Sequence, residues 1–389
     1  MDGGAFLSEG GYGCVFRPSI PCNKQDKPNP NYVTKIQYVD FSAMNEALIG
    51  QILQRAFKNK QDGPLEKNFA PVVSTCPVET AELDVDGLSQ CTTLRRRRTE
   101  DFILMDIRYI AGKDFNDYLL SLRDSSLFIS TIVASYRHLL QSLVLLAAAR
   151  VVHNDLKSPN VMYDTRIQAP IVIDFGLSIP IRRFNRKNMA RYFYRYIPSY
   201  YLWPLEVHLI NYILHRTPKV TRNALQEMTH EFTRANRALA SFSKGFKRRY
   251  EELCVDYLSM YTGKQDESTI EAIVSASWRT WDTYALSVMF VDLLARVTQQ
   301  DSGYLSNPFS AHMAEQLARC LDPDPKRRPT ATKALKVFDS FLYTKGAEEA
   351  GDFEGLVTHA ADNLTQISRS IHRSGRELAA LSKKAERRR

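Results

Sequence analysis

The chain reads as an α+β protein, and three observations predict it. Its early part holds short apolar and β-branched runs broken by turn formers (5–16, 32–37, 71–74 and 101–107), the pattern of strands. Later stretches place apolar residues three and four apart, foremost 126–150, the pattern of helices. Between the two lies VVHNDLKSPNVMYDTRIQAPIVIDFG, residues 151–176, where two short apolar runs each deliver a polar loop. A length of 389 residues suggests two or three structural units.

In order along the chain, AFLSEGGYGCVF (5–16) is a strand, a glycine-containing turn and a second strand. The glycines would let backbone amides approach phosphate oxygens, although a plain hairpin has the same pattern. Residues 18–31 form a Pro/Asn/Lys-rich surface loop, and YVTKIQ (32–37) is a strand carrying one cation, Lys35, a residue that is usually a solvated edge lysine. Residues 42–57 are helical, with Ser42 as N-cap and Ala47, Ile49, Ile52, Leu53 and Phe57 on the apolar side. The stretch 76–100 reads as an insertion between two strands. Its arginines Arg95–Arg98 suit either a nuclear-import or nucleic-acid patch or a solvated loop, and the loop is favoured.

Further on, Leu225, Met228, Phe232, Ala235, Leu239 and Phe242 recur at helical spacing, which predicts a helical segment with a core-facing stripe. Residues 346–355 are an acidic, glycine-punctuated linker. Leu356, Ala360, Leu364, Ile367 and Ile371 then predict an amphipathic helix, with disorder beyond Gly375.

Bulk properties narrow the classes. A hydrophobic fraction of 44% and a charged fraction of 24% are ordinary for a soluble globular protein. Six cysteines, at 14, 22, 76, 91, 254 and 320, are scattered without a CxxC pair, which predicts free thiols in a reducing compartment and neither a disulfide framework nor a zinc knuckle. The start MDGGAFLSEG shows no signal peptide, and the longest apolar stretch, 143–152, is too short to span a bilayer, so a cytoplasmic location is expected. The net charge of +9 suits an acidic partner such as nucleic acid, a membrane surface or an acidic protein, or else plain solubility, which is favoured.

The chemistry concentrates in 151–176. Phosphoryl transfer from a nucleotide needs a carboxylate to orient the attacking hydroxyl, oxygen ligands for magnesium and cations over the phosphates. Asp155, Asn160 and Asp174 are candidate oxygens, and Lys157 is a candidate cation. The spacing H-x-D-x-K-x-x-N at His153, Asp155, Lys157 and Asn160, with Asp174-Phe175-Gly176 after it, resembles the catalytic loop and DFG motif of the eukaryotic-type protein kinases. The form DLKxxN resembles their Ser/Thr branch. The glycine-rich start, YVTKIQ, WPLE and the long insert resemble the protein kinases of giant DNA viruses.

The resemblance implies a bilobal fold: a small antiparallel-sheet lobe at 1–108, a larger mainly helical lobe at 109–345 with a helical insertion at about 207–277, and a linker and basic tail at 346–389. It implies ATP and Mg²⁺. Asp155 becomes the catalytic base, Lys157 the neutraliser of the transferring phosphoryl, and Asn160 and Asp174 the metal ligands. Lys35, held by Glu46, would position the nucleotide phosphates. Ser8, Gly10, Gly13 and Val15 match the glycine-rich loop, with Ser8 in place of its first glycine. Val33 and Met162 would contact adenine, the backbones of Arg108 and Ile110 would bond it beside a gatekeeper Ile107, and Asp114 would reach the ribose or else serve as a helix N-terminal acid.

Glu206 of WPLE is expected to pair with Arg328, and Asp282 to bond the catalytic-loop backbone. Residues 177–200 hold Arg182, Arg183, Arg186, Lys187, Arg191 and Arg195 and no acid, which suits protein substrates that are acidic or already phosphorylated. Asn154 stands where many kinases carry an arginine that binds a phosphorylated activation segment, so activity without such phosphorylation is expected. If viral, the protein would act in host cytoplasm or in the virion. A small-molecule kinase of the same fold and an inactive scaffold are the competing readings. Nucleic acid as the main partner has only the net charge in its favour.

Overall fold

The computed structural model describes residues 4–10, 13–22, 27–58, 60, 63–78, 88–93, 101–216, 219–240, 242–298, 307–344 and 347–386. The run Arg95–Arg98 lies outside these residues. The chain divides into two compact units, Met1–Gly112 with Met162–Pro180, and Lys113–Val161 with Ile181–Arg389.

The first unit is built on a five-stranded antiparallel sheet of β1 (Ala5–Glu9), β2 (Gly13–Arg17), β3 (Tyr32–Tyr38), β4 (Val72–Val78) and β5 (Phe102–Arg108), in the order β1-β2-β3-β5-β4. Side chains alternate between its faces. One face gathers Cys14, Phe16, Ile36, Phe102 and Leu104 into a core with Ile20 and Cys91. The other carries Ile103 and Met105, which pack with Val72 and with Ala43 of helix α1 (Phe41–Phe57). In α1, Ala43, Glu46, Ile49, Gly50, Leu53 and Phe57 are buried, one stripe at three- and four-residue spacing. A Cβ on Gly50 would meet the Val72 carbonyl oxygen at 2.1 Å, so only glycine allows the helix this close to β4. Asp40 caps α1 by accepting from Ala43 N at 2.8 Å, in place of the expected Ser42, which lies within the helix. Strands β6 (Val161–Asp164) and β7 (Ala169–Val172) lie side by side, and Ala70 N donates to Val172 O at 3.0 Å.

The cysteines correct the sequence reading. Cys14 pairs with Cys91 and Cys22 with Cys76, whereas Cys254 and Cys320 are free and buried. Scattered spacing showed no framework because these partners are 77 and 54 residues apart and meet only through the sheet.

The second unit is helical. Its helices of seven residues or more are α2 (Phe115–Ser121), α3 (Ser125–Ala148), α4 (Leu205–His215), α5 (Arg222–Ala235), α6 (Lys244–Ser259), α7 (Glu267–Ser277), α8 (Trp281–Thr298), α9 (Pro308–Arg319), α10 (Ala331–Thr344) and α11 (Ala347–Glu386). By length and hydropathy α3 alone among the described residues could cross a membrane, but its buried face packs against α8, α10 and α11. Of the predicted stripe, Leu225, Met228, Phe232 and Leu239 are buried and Ala235 and Phe242 half-buried, and the range 207–277 holds most of α4 together with α5, α6 and α7.

The C-terminal reading changes most. The described part of the expected linker and disordered end, Ala347–Glu386, is one 40-residue helix, α11. Leu356, Ala360, Ile367, Ile371 and Leu378 are buried along it, against α2, α3, α8 and α9. Arg296 donates to the Ser370 carbonyl at 3.2 Å, and Ser374 donates to Asp292 at 2.7 Å. Packing thus continues beyond Gly375, because the apolar period runs on through a stretch that composition alone marks as a polar tail.

Candidate functional site

Two groups of candidate residues form, one in each unit. In the first unit, the alternation of β3 points Lys35 to the α1 face of the sheet, where Val15 is its cross-strand partner. Its ammonium lies 2.7 Å from Glu46 Oε2 and 3.5 Å from Asp174 Oδ1. Burial alone would lower the lysine's pKa, yet the carboxylates of Asp174 and Glu46 outweigh it and hold the ammonium above its ordinary range. Burial pushes the Glu46 carboxyl up, with Lys35 opposing.

Asp174 has φ +62°, a left-handed conformation rare outside glycine, and its side chain is 38% exposed. Helix α1 also holds the stretch that follows it. Asn45, buried beside Glu46, donates to Gly176 O at 3.0 Å and to Ser178 O at 2.7 Å. Nothing in the sequence marked Asn45, because its role depends on a contact across more than a hundred residues.

The other expected nucleotide contacts of this unit fall as follows. Ser8, exposed, follows an irregularity in β1, and Gly10 N donates to Gly13 O at 2.8 Å across the turn. At Gly13 a Cβ would meet Ile36 O at 2.1 Å, so strand packing by itself demands glycine there. Val33 is buried on the Lys35 face. Ile110 packs with Ala70 and Ile171, alongside Ile107, Met162 and Ile173. Its carbonyl is occupied by Gly112 N at 3.0 Å. The Arg108 guanidinium bonds Glu66 O at 2.6 Å and faces Asp164 at 3.6 Å.

In the second unit Asp155 is the centre. Lys157 Nζ lies 3.0 Å from its Oδ2, and Asn160 Nδ2 donates to that oxygen at 2.9 Å and to the Asp155 carbonyl at 2.8 Å. Tyr200, absent from the sequence assignment, donates its hydroxyl to Asp155 Oδ1 at 2.9 Å. Burial, with Asp155 beside it, keeps that phenol protonated far above its usual range.

The loop is fixed from beneath. Asp282 accepts from His153 N at 2.7 Å and Asn154 N at 2.9 Å, and Trp203 Nε1 donates to Asn154 O at 2.8 Å. Asn154 has φ +63°, a conformation asparagine tolerates better than most residues. Glu206 is buried between Arg328 and the Trp281 indole, which donates to it at 3.0 Å. Asp114 is the N-cap of α2, accepting from Asp117 N at 3.0 Å, and burial raises its carboxyl to about 6.

The donor types fit magnesium, which takes hard oxygens. Both Asn160 amide hydrogens point at Asp155, which leaves its Oδ1 as the group for a cation, and Asp174 offers a partly exposed carboxylate. Compared with protein-family models and with curated proteins, the chain finds no match.

Proposed function

We propose that the chain is an ATP-dependent protein kinase of the bilobal kinase fold, transferring the γ-phosphoryl group to Ser or Thr hydroxyls of protein substrates. The Asp155 cluster carries the reading: a carboxylate flanked by Lys157 and Asn160, on a loop whose backbone is pinned by the half-buried Asp282. A structural aspartate would need no adjacent lysine and no such pinning.

In this reading Asp155 accepts the proton of the substrate hydroxyl, an effect worth about 10² to 10⁴ in rate. Lys157 offsets charge on the transferring phosphoryl, and Lys35, oriented by Glu46, binds the nucleotide phosphates. Asn160 and Asp174 would hold magnesium, which when bound neutralises phosphate charge. Arg182, Arg183 and Lys187 are exposed in the basic segment, whereas Arg186 is paired with Glu271 at 2.8 Å, so acidic protein substrates are the proposed class.

The test incubates wild-type protein and Asp155→Ala with ATP, magnesium and a protein lysate, then maps phosphosites. Signal from the wild type, lost in the variant and enriched near acidic residues, is expected. Label passing to a small alcohol and to no protein would replace the reading with a small-molecule kinase.

A further inference from the structure

The β1–β2 hairpin is held on both sides of its turn by one short segment. Glu9, the last residue of β1, and Cys14, in β2, are cross-strand partners flanking the turn. The Glu9 carboxylate accepts from Thr92 N at 3.3 Å, Thr92 Oγ1 at 2.5 Å, Thr93 N at 2.9 Å and Thr93 Oγ1 at 2.9 Å. Cys14 is covalently joined to Cys91, the residue just before those threonines. Leu88 and Cys91 pack into the sheet's core on the face opposite α1. A segment far away in sequence therefore clamps the glycine turn through one covalent bond and a set of hydrogen bonds. Only the covalent bond responds to redox state.

We infer that the Cys14–Cys91 bridge is a redox modification site that sets how firmly the β1–β2 hairpin is held, and through it the affinity for nucleotide. The second half of that statement rests on the proposed function; the first does not. The reactant class is a dithiol reductant. Its two hydrogens pass to Cys14 and Cys91, the bridge opens to two thiols, and the reductant closes to a disulfide. Access orders the steps. Cys22 is exposed and Cys76 partly so, while Cys14 and Cys91 are fully buried, so the Cys22–Cys76 bridge opens first. With Cys14–Cys91 open, the segment keeps its packing in the core through Leu88 and Cys91, and its polar hold on the hairpin is reduced to the surface hydrogen bonds of Glu9 with the threonines. Such bonds are readily exchanged for water. An oxidising compartment would keep the clamp closed and a reducing one would release it.

The experiment compares oxidised wild type, dithiol-reduced wild type, Cys91→Ser and the control Cys76→Ser. Free thiols are counted by alkylation and intact mass, amide hydrogen exchange is followed over residues 5–17, and a fluorescent ADP analogue is titrated. In the oxidised protein two free thiols are expected, those of Cys254 and Cys320. Reduction or Cys91→Ser is expected to speed exchange over 5–17 by about tenfold or more and to weaken the analogue by about 3- to 10-fold. Cys76→Ser should change the analogue's affinity little. Six free thiols after oxidation, or unchanged exchange over 5–17 on reduction, overturns the inference. Faster exchange with unchanged affinity overturns the link to nucleotide. Faster exchange in a protein that binds no nucleotide in any state leaves the clamp standing and removes the proposed function.

Discussion

Tyr200 donates its phenolic hydroxyl to Asp155 Oδ1 across 2.9 Å, and both residues are buried. Lys157 and Asn160 engage the other oxygen, so the carboxylate is oriented from both sides. A hydrogen bond to a charged group is worth about 1.5 to 3 kcal/mol. Tyr200→Phe removes this one while keeping the ring against Trp203. On the proposed function, phosphotransfer kcat is expected to fall about 10- to 100-fold with nucleotide affinity unchanged, measured by steady-state kinetics alongside nucleotide titration. An unchanged kcat would show that the phenol does not orient the Asp155 carboxylate for the proposed reaction.

The Lys35–Glu46 pair predicts a split between binding and stability. Lys35→Met leaves Glu46 buried without its cation, which costs about 3 to 5 kcal/mol when a buried pair is broken from one side. Glu46→Gln keeps a hydrogen-bond acceptor and should cost less. Nucleotide affinity should fall sharply in the first variant. Urea denaturation and nucleotide titration of both proteins check the order.

His208 predicts an acid sensitivity. It is buried between Trp203 and Phe232, and burial pushes its imidazole down to about 3, with backbone groups of Tyr200 and Trp203 offsetting only part of the effect. The folded form therefore binds fewer protons than the unfolded chain between about pH 6.5 and 3. The contribution is complete above pH 6.5. It is lost at about 1.4 kcal/mol per pH unit as the pH falls. Stability measured against pH should show this slope in the wild type relative to His208→Leu; parallel curves would refute it.

The end of α11 predicts that truncation is costly. A chain ending at Ser374 loses buried Leu378, the Arg237–Glu377 ion pair at 2.5 Å and the Ala385 carbonyl that accepts from Arg195 at 2.8 Å. Burying one leucine is worth about 1.5 to 3 kcal/mol, so the unfolding free energy should drop by at least that much, read as a lower urea midpoint. An unchanged midpoint would mean the last turns of the helix contribute nothing to folding.

Breaking the Glu206–Arg328 pair should be as damaging. Both residues are buried, and Arg328→Met leaves Glu206 with the Trp281 indole alone. A loss of about 3 to 5 kcal/mol is expected, read by thermal or urea unfolding.

Short-range physics writes part of this fold into residue order. Strand alternation around Lys35 and helical spacing through Leu225, Met228 and Phe232 are local patterns that the structure repeats, and Asp155, Lys157 and Asn160, singled out by a motif, are in mutual contact. Glu206 with Arg328, and Asp282 beneath the loop, came from family resemblance and do form contacts. Tertiary structure alone decided the rest. Cys14 meets Cys91 because the fold of the first unit brings them to one face of its sheet, Asn45 reaches Gly176 across the fold, and Tyr200 finds Asp155 from a segment whose periodicity says nothing. Composition misread the tail as a linker because charge density is visible in a sequence, whereas the surface that buries Leu378 is made by other helices. Periodicity reports which side of an element is apolar; only the assembled chain supplies what that side meets.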